Sequence, residues 1–143
     1  MKHRIFLSYS AQDRKLATPL ERALERLGVS AFNPADDVKV GSDWREAILD
    51  GISKSDRLVV LLTQPHVAAD TWTGYEVGAA IAMGKDVVVM KPSNFSIADL
   101  PEDLASWRML DVDLSSPEKM ALALVSSIRN GDSQLDRKEL RPR

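Results

Sequence analysis

The run Leu58-Val59-Val60-Leu61-Leu62 decides the fold class of this chain. No polar residue interrupts it, which is typical of a central parallel strand that is covered on both faces. Thr63 and a polar loop follow, residues 72–83 have a helical pattern, and Gly84-Lys85 then leads into Val87-Val88-Val89-Met90. A strand, a helix and a second strand in this order predict a parallel pair with a right-handed crossover.

The same alternation of strands and helices continues on both sides of this unit. The other elements are predicted as a strand at 5–7, a helix with leucines at positions 16, 20, 24 and 27 that ends at the C-cap residue Gly28, a strand at 29–32, a helix with Trp44, Ile48 and Ile52 on one face, a weaker strand at 109–112, and a helix that starts at the capping Ser116 and continues to Ile128. We therefore predict an α/β fold, a flavodoxin-like three-layer sandwich in which a five-stranded parallel sheet has helices on both faces. Residues 1–131 form the predicted domain, and the charged, aperiodic residues 132–143 are predicted to be a disordered tail or a truncated linker.

The composition excludes several classes of protein. The chain has 143 residues, of which 44% are hydrophobic and 28% charged, as expected of one globular domain. It has no cysteine, which excludes thiol nucleophiles and disulfides and favours a cytoplasmic location. A net charge of −2 and the lack of a long apolar run argue against nucleic-acid and membrane partners. His3 and His66 are isolated in the sequence, so we expect no metal site.

Three motifs within residues 4–92 carry a resemblance to a known family. They are Ile5-Phe6-Leu7-Ser8-Tyr9-Ser10 with Asp13, the loop in which Gly41 precedes Trp44, and Val59-Val60-Leu61-Leu62-Thr63 followed by Trp72-x-x-x-Glu76-x-x-x-Ala80 and Gly84-Lys85. In this order and spacing they resemble the TIR (Toll/interleukin-1 receptor) domain family. The loop around Gly41 is similar to the BB loop of that family.

The resemblance implies an activity and its residues. It is strongest to the bacterial-type branch that cleaves NAD, in which the glutamate of the Trp-x-x-x-Glu helix is catalytic, and this implies Glu76 as the catalytic residue. The substrate-binding residues implied are Tyr9, Ser10, Asn33, Gly41 and Trp72. NAD would be the substrate, no cofactor would be needed, and the products would be nicotinamide with ADP-ribose or a cyclic isomer. The resemblance also implies other TIR domains as partners, bound through the BB loop at residues 33–43, and a fused or separate effector domain.

The residues themselves are compatible with this chemistry. Trp72 and Glu76 are four positions apart, so they share one helix face. Ligands of open α/β sheets bind at the switch point in strand order, which for a flavodoxin-like order lies between strands one and three. Nicotinamide leaves a pyridinium cation as a neutral amine, so a single carboxylate that stabilises the developing positive charge is enough, whereas most glycosidases need two. An aromatic ring stacked on the pyridinium would add roughly 0.5–2 kcal/mol.

Other interpretations of the same residues remain open. Trp72 can be a core aromatic, Glu76 can lie at the solvent edge of its helix or in a pocket, and Gly41 can serve a turn. The spacing Ser10-x-x-Asp13 matches a helix N-cap, which needs no ligand. For the whole chain, the alternatives are a non-enzymatic TIR interaction module and a relative of the nucleoside deoxyribosyltransferases.

Overall fold

Five parallel strands form one sheet at the centre of the fold. The computed structural model describes residues 3–9, 11–32, 44–63, 71–94 and 108–139, with the backbone alone at 11, 44–45, 71–75 and 130–139. Within these residues the strands are β1 (His3–Ser8), β2 (Val29–Phe32), β3 (Arg57–Leu61), β4 (Asp86–Lys91) and β5 (Arg108–Asp111). Their order in the sheet is β2-β1-β3-β4-β5, and every neighbouring pair is parallel. The predicted flavodoxin-like sheet is confirmed.

Helices cover both faces of the sheet. They are α1 (Arg14–Arg26), α2 (Trp44–Ser53), α3 (Thr71–Ala82) and α4 (Pro117–Glu139), and a short 3-10 turn (Ala11–Asp13) precedes α1. Two separate hydrophobic clusters result, which we call the α1/α4 core and the α2/α3 core after the helices that cover them. No helix among the described residues is both long and apolar enough to cross a membrane.

Strand β3 contributes side chains to both cores. All of its residues are buried. Val59 and Leu61 lie in the α1/α4 core, whereas Leu58 and Val60 lie in the α2/α3 core. This alternation is the period-two pattern of a strand that is covered on both faces, as the uninterrupted apolar run predicted.

The helix boundaries follow from local capping. Gly28 has φ +85°, a left-handed conformation that costs glycine little, and it directly follows the C-cap of α1. At the start of α4, the backbone N–H of Lys119 donates to the Ser116 hydroxyl at 3.3 Å, which confirms the predicted cap. The leucine stripe of α1 is correct only in part, because Leu27 is 39% exposed.

The C-terminal helix is longer than the apolar pattern predicted. The pattern ends at Ile128, which is buried, but α4 continues to Glu139. The backbone of residues 132–139 is therefore helical, although their sequence has no apolar periodicity. Charged residues such as those of this segment are compatible with a helix, since helical propensity does not require an apolar face. That residues 132–143 are a tail or a truncated linker outside the domain stays a prediction.

Gly51 of α2 packs directly against the last residue of β2. A Cβ atom at Gly51 would lie 2.5 Å from Cε1 of Phe32, closer than real contacts allow. The Phe32 ring is itself held against Phe6, with 5.3 Å between the ring centroids. The hydroxyl of Ser55 donates to the Gly51 carbonyl at 2.7 Å and fixes the end of the helix. The absence of a side chain at Gly51 thus sets how closely α2 approaches the sheet.

We expect Gly51→Ala to lower the free energy of unfolding by about 1–3 kcal/mol, because the added methyl displaces the Phe32 ring or the helix. Gly78 is the matched control, since a Cβ there meets no atom within 4 Å. Gly78→Ala should be neutral or stabilising by about 0.5–1 kcal/mol through the helical preference of alanine. Urea denaturation followed by circular dichroism measures both, and equal effects of the two variants would contradict the packing argument.

Candidate active site

The sheet has its switch point between β1 and β3. These strands are neighbours, and their ladder ends with Ser8 beside Val60. The chain leaves β1 towards α1 on one face of the sheet and leaves β3 towards α3 on the other. Two loops that diverge in this way leave a crevice beyond the carboxyl ends of the strands, which is where ligands of open α/β sheets bind. The strand order thus confirms the predicted switch point between β1 and β3, and a ligand crevice at this point stays a prediction.

Glu76 is buried on the α3 side of this switch point. Its side chain is 1% exposed, and its helical neighbours Val77 and Ala80 are part of the α2/α3 core. The sequence left open whether this carboxylate lies at the solvent edge or in a pocket, and the burial decides for the interior. Burying a carboxylate is expensive, so a glutamate at such a position commonly serves chemistry or a specific interaction.

Ser8, at the end of β1, is on the same face of the sheet as Glu76. It is 2% exposed. Ile5 and Leu7 belong to the α1/α4 core and Phe6 to the α2/α3 core, so alternation places Ser8 on the α2/α3 side. The family resemblance implies the two residues after Ser8 as binding residues but does not point to Ser8 itself. The period-two pattern of β1, counted from Phe6, could have found it.

Tyr9 lies on the other side of the sheet. It is partly buried and packs against the α1/α4 core. The structure therefore does not group Tyr9 with Glu76 on one face, although both border the switch point. Its role in substrate binding stays a prediction.

Asp13 takes part in a long-range hydrogen bond instead of capping its helix. It occupies the N-cap position of α1 and makes no side-chain capping hydrogen bond there. Its Oδ1 accepts a hydrogen bond of 2.8 Å from the hydroxyl of Thr63, at the end of β3. The Ser10-x-x-Asp13 pattern predicted a helix capped by Ser10, which would begin at residue 11. Residues 11–13 form the 3-10 turn, so that α1 begins three residues later, at Arg14.

The other predicted site residues lie outside the described part of the structure. Ser10, Asn33 and Gly41 are not described, and Trp72 is described by its backbone alone. The backbone of Trp72 is in α3, one turn before Glu76, as the spacing predicted. The roles of these four residues in substrate binding stay predictions.

A hollow of about 420 Å³ lies at the carboxyl ends of β4 and β5. It is lined by residues 92–94 and 111–115. The ionisable groups around it are engaged with the protein. Lys91 is 4% exposed, and its Nζ lies 2.5 Å from Oδ1 of Asp111. The hydroxyl and the backbone N–H of Ser115 both donate to Asp113 and lower the pKa of that carboxyl. The buried carboxylate at the switch point is therefore the stronger catalytic candidate.

Comparison with known proteins identifies what the chain is similar to. A family model described as "TIR domain" matches residues 5–125. The chain is also 27% identical, over 133 residues, to the 2' cyclic ADP-D-ribose synthase AbTIR of Acinetobacter baumannii. The match covers 88% of this chain and 49% of that relative, so the chain spans about half the length of the relative.

Solved structures share the fold at lower sequence identity. The TIR domains of the activated Roq1 resistosome match 95% of this chain and 76% of that chain, with 17% identity and a TM-score of 0.58. A 2-deoxyribosyltransferase from Bacillus psychrosaccharolyticus matches 80% of this chain and 90% of that chain, with 22% identity and a TM-score of 0.57. At these identities the matches establish the common fold alone.

We expect Glu76→Gln to leave the free energy of unfolding unchanged or to raise it, because the neutral amide has the same shape and removes the cost of burying a charge. Ser55 is the comparison residue. It is also buried, but its hydroxyl makes a structural hydrogen bond. Ser55→Ala should lose about 1 kcal/mol. Urea denaturation of both variants decides, and a larger loss for Glu76→Gln than for Ser55→Ala would show that Glu76 serves the fold.

Proposed function

The chain belongs to the TIR domain family, and we propose that it cleaves the bond between nicotinamide and ribose in NAD. The products would be nicotinamide with ADP-ribose or a cyclic ADP-ribose isomer. The observation that carries the proposal is the buried carboxylate of Glu76 at the switch point of the sheet. The similarity to a relative named as a cyclic ADP-ribose synthase supports it.

In the proposed reaction Glu76 stabilises charge that develops on the substrate. As the glycosidic bond lengthens, positive charge moves from the pyridinium ring to the ribose, and a carboxylate beside the ribose favours this step. Nicotinamide leaves as a neutral amine, so no acid has to protonate it. The burial of Glu76 increases the effect, since Coulomb interactions are stronger in a region of low dielectric constant.

Residues around Glu76 would bind the rest of the substrate. Ser8 is buried on the same face of the sheet, and its hydroxyl is suited to a ribose hydroxyl. Trp72 precedes Glu76 by one turn of α3, from where its ring would stack on the nicotinamide. NAD acts as the substrate, so the reaction needs no additional cofactor.

The burial of Glu76 also weighs against a purely structural interaction module. Docking between protein domains uses exposed side chains, and a buried carboxylate adds nothing to such a surface. The fold shared with the deoxyribosyltransferase does not distinguish the substrate, because the same fold hosts different reactions. NAD cleavage is the function that accounts for both the family and the position of this residue.

Self-association would control the activity. The related TIR domains of the Roq1 structure were solved in an activated resistosome. We propose that copies of this chain assemble through residues 33–43, the segment that resembles the BB loop, and that assembly completes the NAD site. A fused or separate effector domain would drive this assembly.

We expect Glu76→Gln to lower the rate of nicotinamide release at least ~10²–10³-fold, because the stabilisation of the developing positive charge is lost. Chromatography of the nucleotide products after incubation with NAD measures this and separates ADP-ribose from cyclic isomers. Glu118 supplies the control, since its carboxylate is 76% exposed on α4. Glu118→Gln should retain the parent rate. A folded Glu76→Gln protein with parental activity would refute the catalytic assignment.

We expect the specific activity to rise with protein concentration, because only assembled molecules would have a complete site and the competent fraction sets the apparent affinity. Fusion to an oligomeric carrier should raise the activity at a fixed low concentration. Analytical ultracentrifugation at the assay concentrations gives the state of assembly. Activity strictly proportional to concentration, in a range where only monomer sediments, would refute the assembly proposal.

A further inference from the structure

A hydrogen bond joins the two loops that border the crevice. The hydroxyl of Thr63 donates to Oδ1 of Asp13 at 2.8 Å, across 50 positions of the sequence. Thr63 follows Leu62, whose backbone N–H donates to the carbonyl of Met90 at 2.9 Å, so Thr63 stands on the end of the sheet. Asp13 is 8% exposed and immediately precedes α1. The bond thus connects the loop after β1 to the loop after β3.

The hydrogen bonding of Asp13 is unusual for an aspartate at a helix N-cap. An aspartate at an N-cap normally accepts a hydrogen bond from the backbone of its own helix, which stabilises the helix by typically about 1 kcal/mol. Asp13 makes no such side-chain bond. Its carboxylate still benefits from lying at the helix N-terminus. The Asp13 carboxylate therefore takes part in a contact beyond its own helix, with Thr63.

The alternation of β3 explains why Thr63 can reach Asp13. Val59 and Leu61 belong to the α1/α4 core, so the same period places Thr63 on the face that α1 covers. Glu76 and Ser8 are on the opposite face. The Asp13–Thr63 pair therefore closes the switch point on one side of the sheet, while Glu76 borders it on the other.

In the described part of the chain, backbone pairing of β1 and β3 stops where the strands end. The ladder ends with Ser8 beside Val60, and beyond this point the chain segments turn to opposite faces. The Asp13–Thr63 hydrogen bond connects the two segments just beyond the end of the ladder. A hydrogen bond to a carboxylate in a largely buried position is suited to this, because it is short, directional and shielded from water.

We propose that Asp13 and Thr63 are positioning residues that set the width of the crevice in which the ribose of NAD is bound. This inference rests on the proposed function. The pair acts through the loop that begins at Tyr9 and through the loop that begins at Thr63, and neither residue has to touch the substrate. Loss of the bond displaces binding groups relative to Glu76. Displacements of about 1 Å in an active site can reduce the rate as much as 10²-fold.

Substitution of Thr63 tests the proposal. Thr63→Val keeps the shape of the side chain and removes the donor, and Thr63→Ser keeps the donor. The matched control is Thr18→Val, because the Thr18 hydroxyl also makes a hydrogen bond, to the Arg14 carbonyl at 3.1 Å within α1. We expect Thr63→Val to lower kcat/KM for NAD about 10-fold or more, mainly by raising KM. Thr63→Ser should restore most of the loss, and Thr18→Val should equal the parent.

A second variant addresses the carboxylate. Asp13→Asn keeps an acceptor oxygen but loses the charge, so it should lower kcat/KM less than Thr63→Val does. Asp13→Ala removes the acceptor altogether, so if Thr63→Val does not fold, a folded Asp13→Ala protein with a parental KM overturns the proposal.

Hydrogen exchange of the unliganded protein separates this inference from the proposed function. Amides of residues 8–13, measured by mass spectrometry without NAD, should exchange faster in Thr63→Val than in the parent and in Thr18→Val. Unchanged exchange, or faster exchange with unchanged kcat/KM, overturns the positioning role. If the parent protein releases no nicotinamide from NAD even when fused to the oligomeric carrier, the proposed function is refuted, and the exchange comparison alone decides whether the pair holds the two loops.

Discussion

The burial of β3 on both faces is the constraint on which the rest of the structure depends. Its side chains alternate between the α1/α4 core and the α2/α3 core, so helices must cover each face. The chain satisfies this by sending the segment after β1 to one face and the segment after β3 to the other. Because β1 and β3 are adjacent, these segments separate at the carboxyl edge of the sheet. The crevice is therefore a consequence of how the core is covered.

The polar groups near this edge follow the same division. Glu76 and Ser8 lie with the α2/α3 core, and the Asp13–Thr63 pair lies with the α1/α4 core. Glu76, Ser8 and Asp13 are largely buried, and Thr63 is partly buried; polar groups in such positions are costly unless they interact. Buried polar groups lower stability, and here they gather at the carboxyl edge of the sheet, beyond the apolar middle parts of the strands. Such an arrangement is typical of a site where stability has been exchanged for function.

The sequence predicts the fold more completely than the site, for a physical reason. The spacing of apolar residues along the chain shows which positions face the core. The uninterrupted run of β3 and the stripe through Leu20 and Leu24 therefore identified a strand and a helix. The stripe fails at Leu27, where the helix ends and the residue is exposed. Asp13 shows that local sequence patterns do not predict long-range contacts. A local pattern suggested a cap, but the partner of Asp13 is 50 positions away, and local spacing carries no information about such contacts.

Glu76 and Ser8 show how sequence motifs and the packing of the structure complement each other. The motif selected Glu76, but only the structure shows that the residue is buried, with 1% of its surface exposed. Ser8 appears only when the alternation of β1 is followed past its apolar residues. A carboxylate held by a helix and a hydroxyl held by a strand approach the crevice on rigid elements, which keeps their geometry constant. Asp13 and Thr63, by contrast, lie just outside the helix and the strand that they adjoin, and their hydrogen bond joins these two ends on the other face of the sheet. Under the proposed function, substitutions at this pair would change how NAD is held and would leave the Glu76 carboxylate in place, because the pair and Glu76 lie on opposite faces.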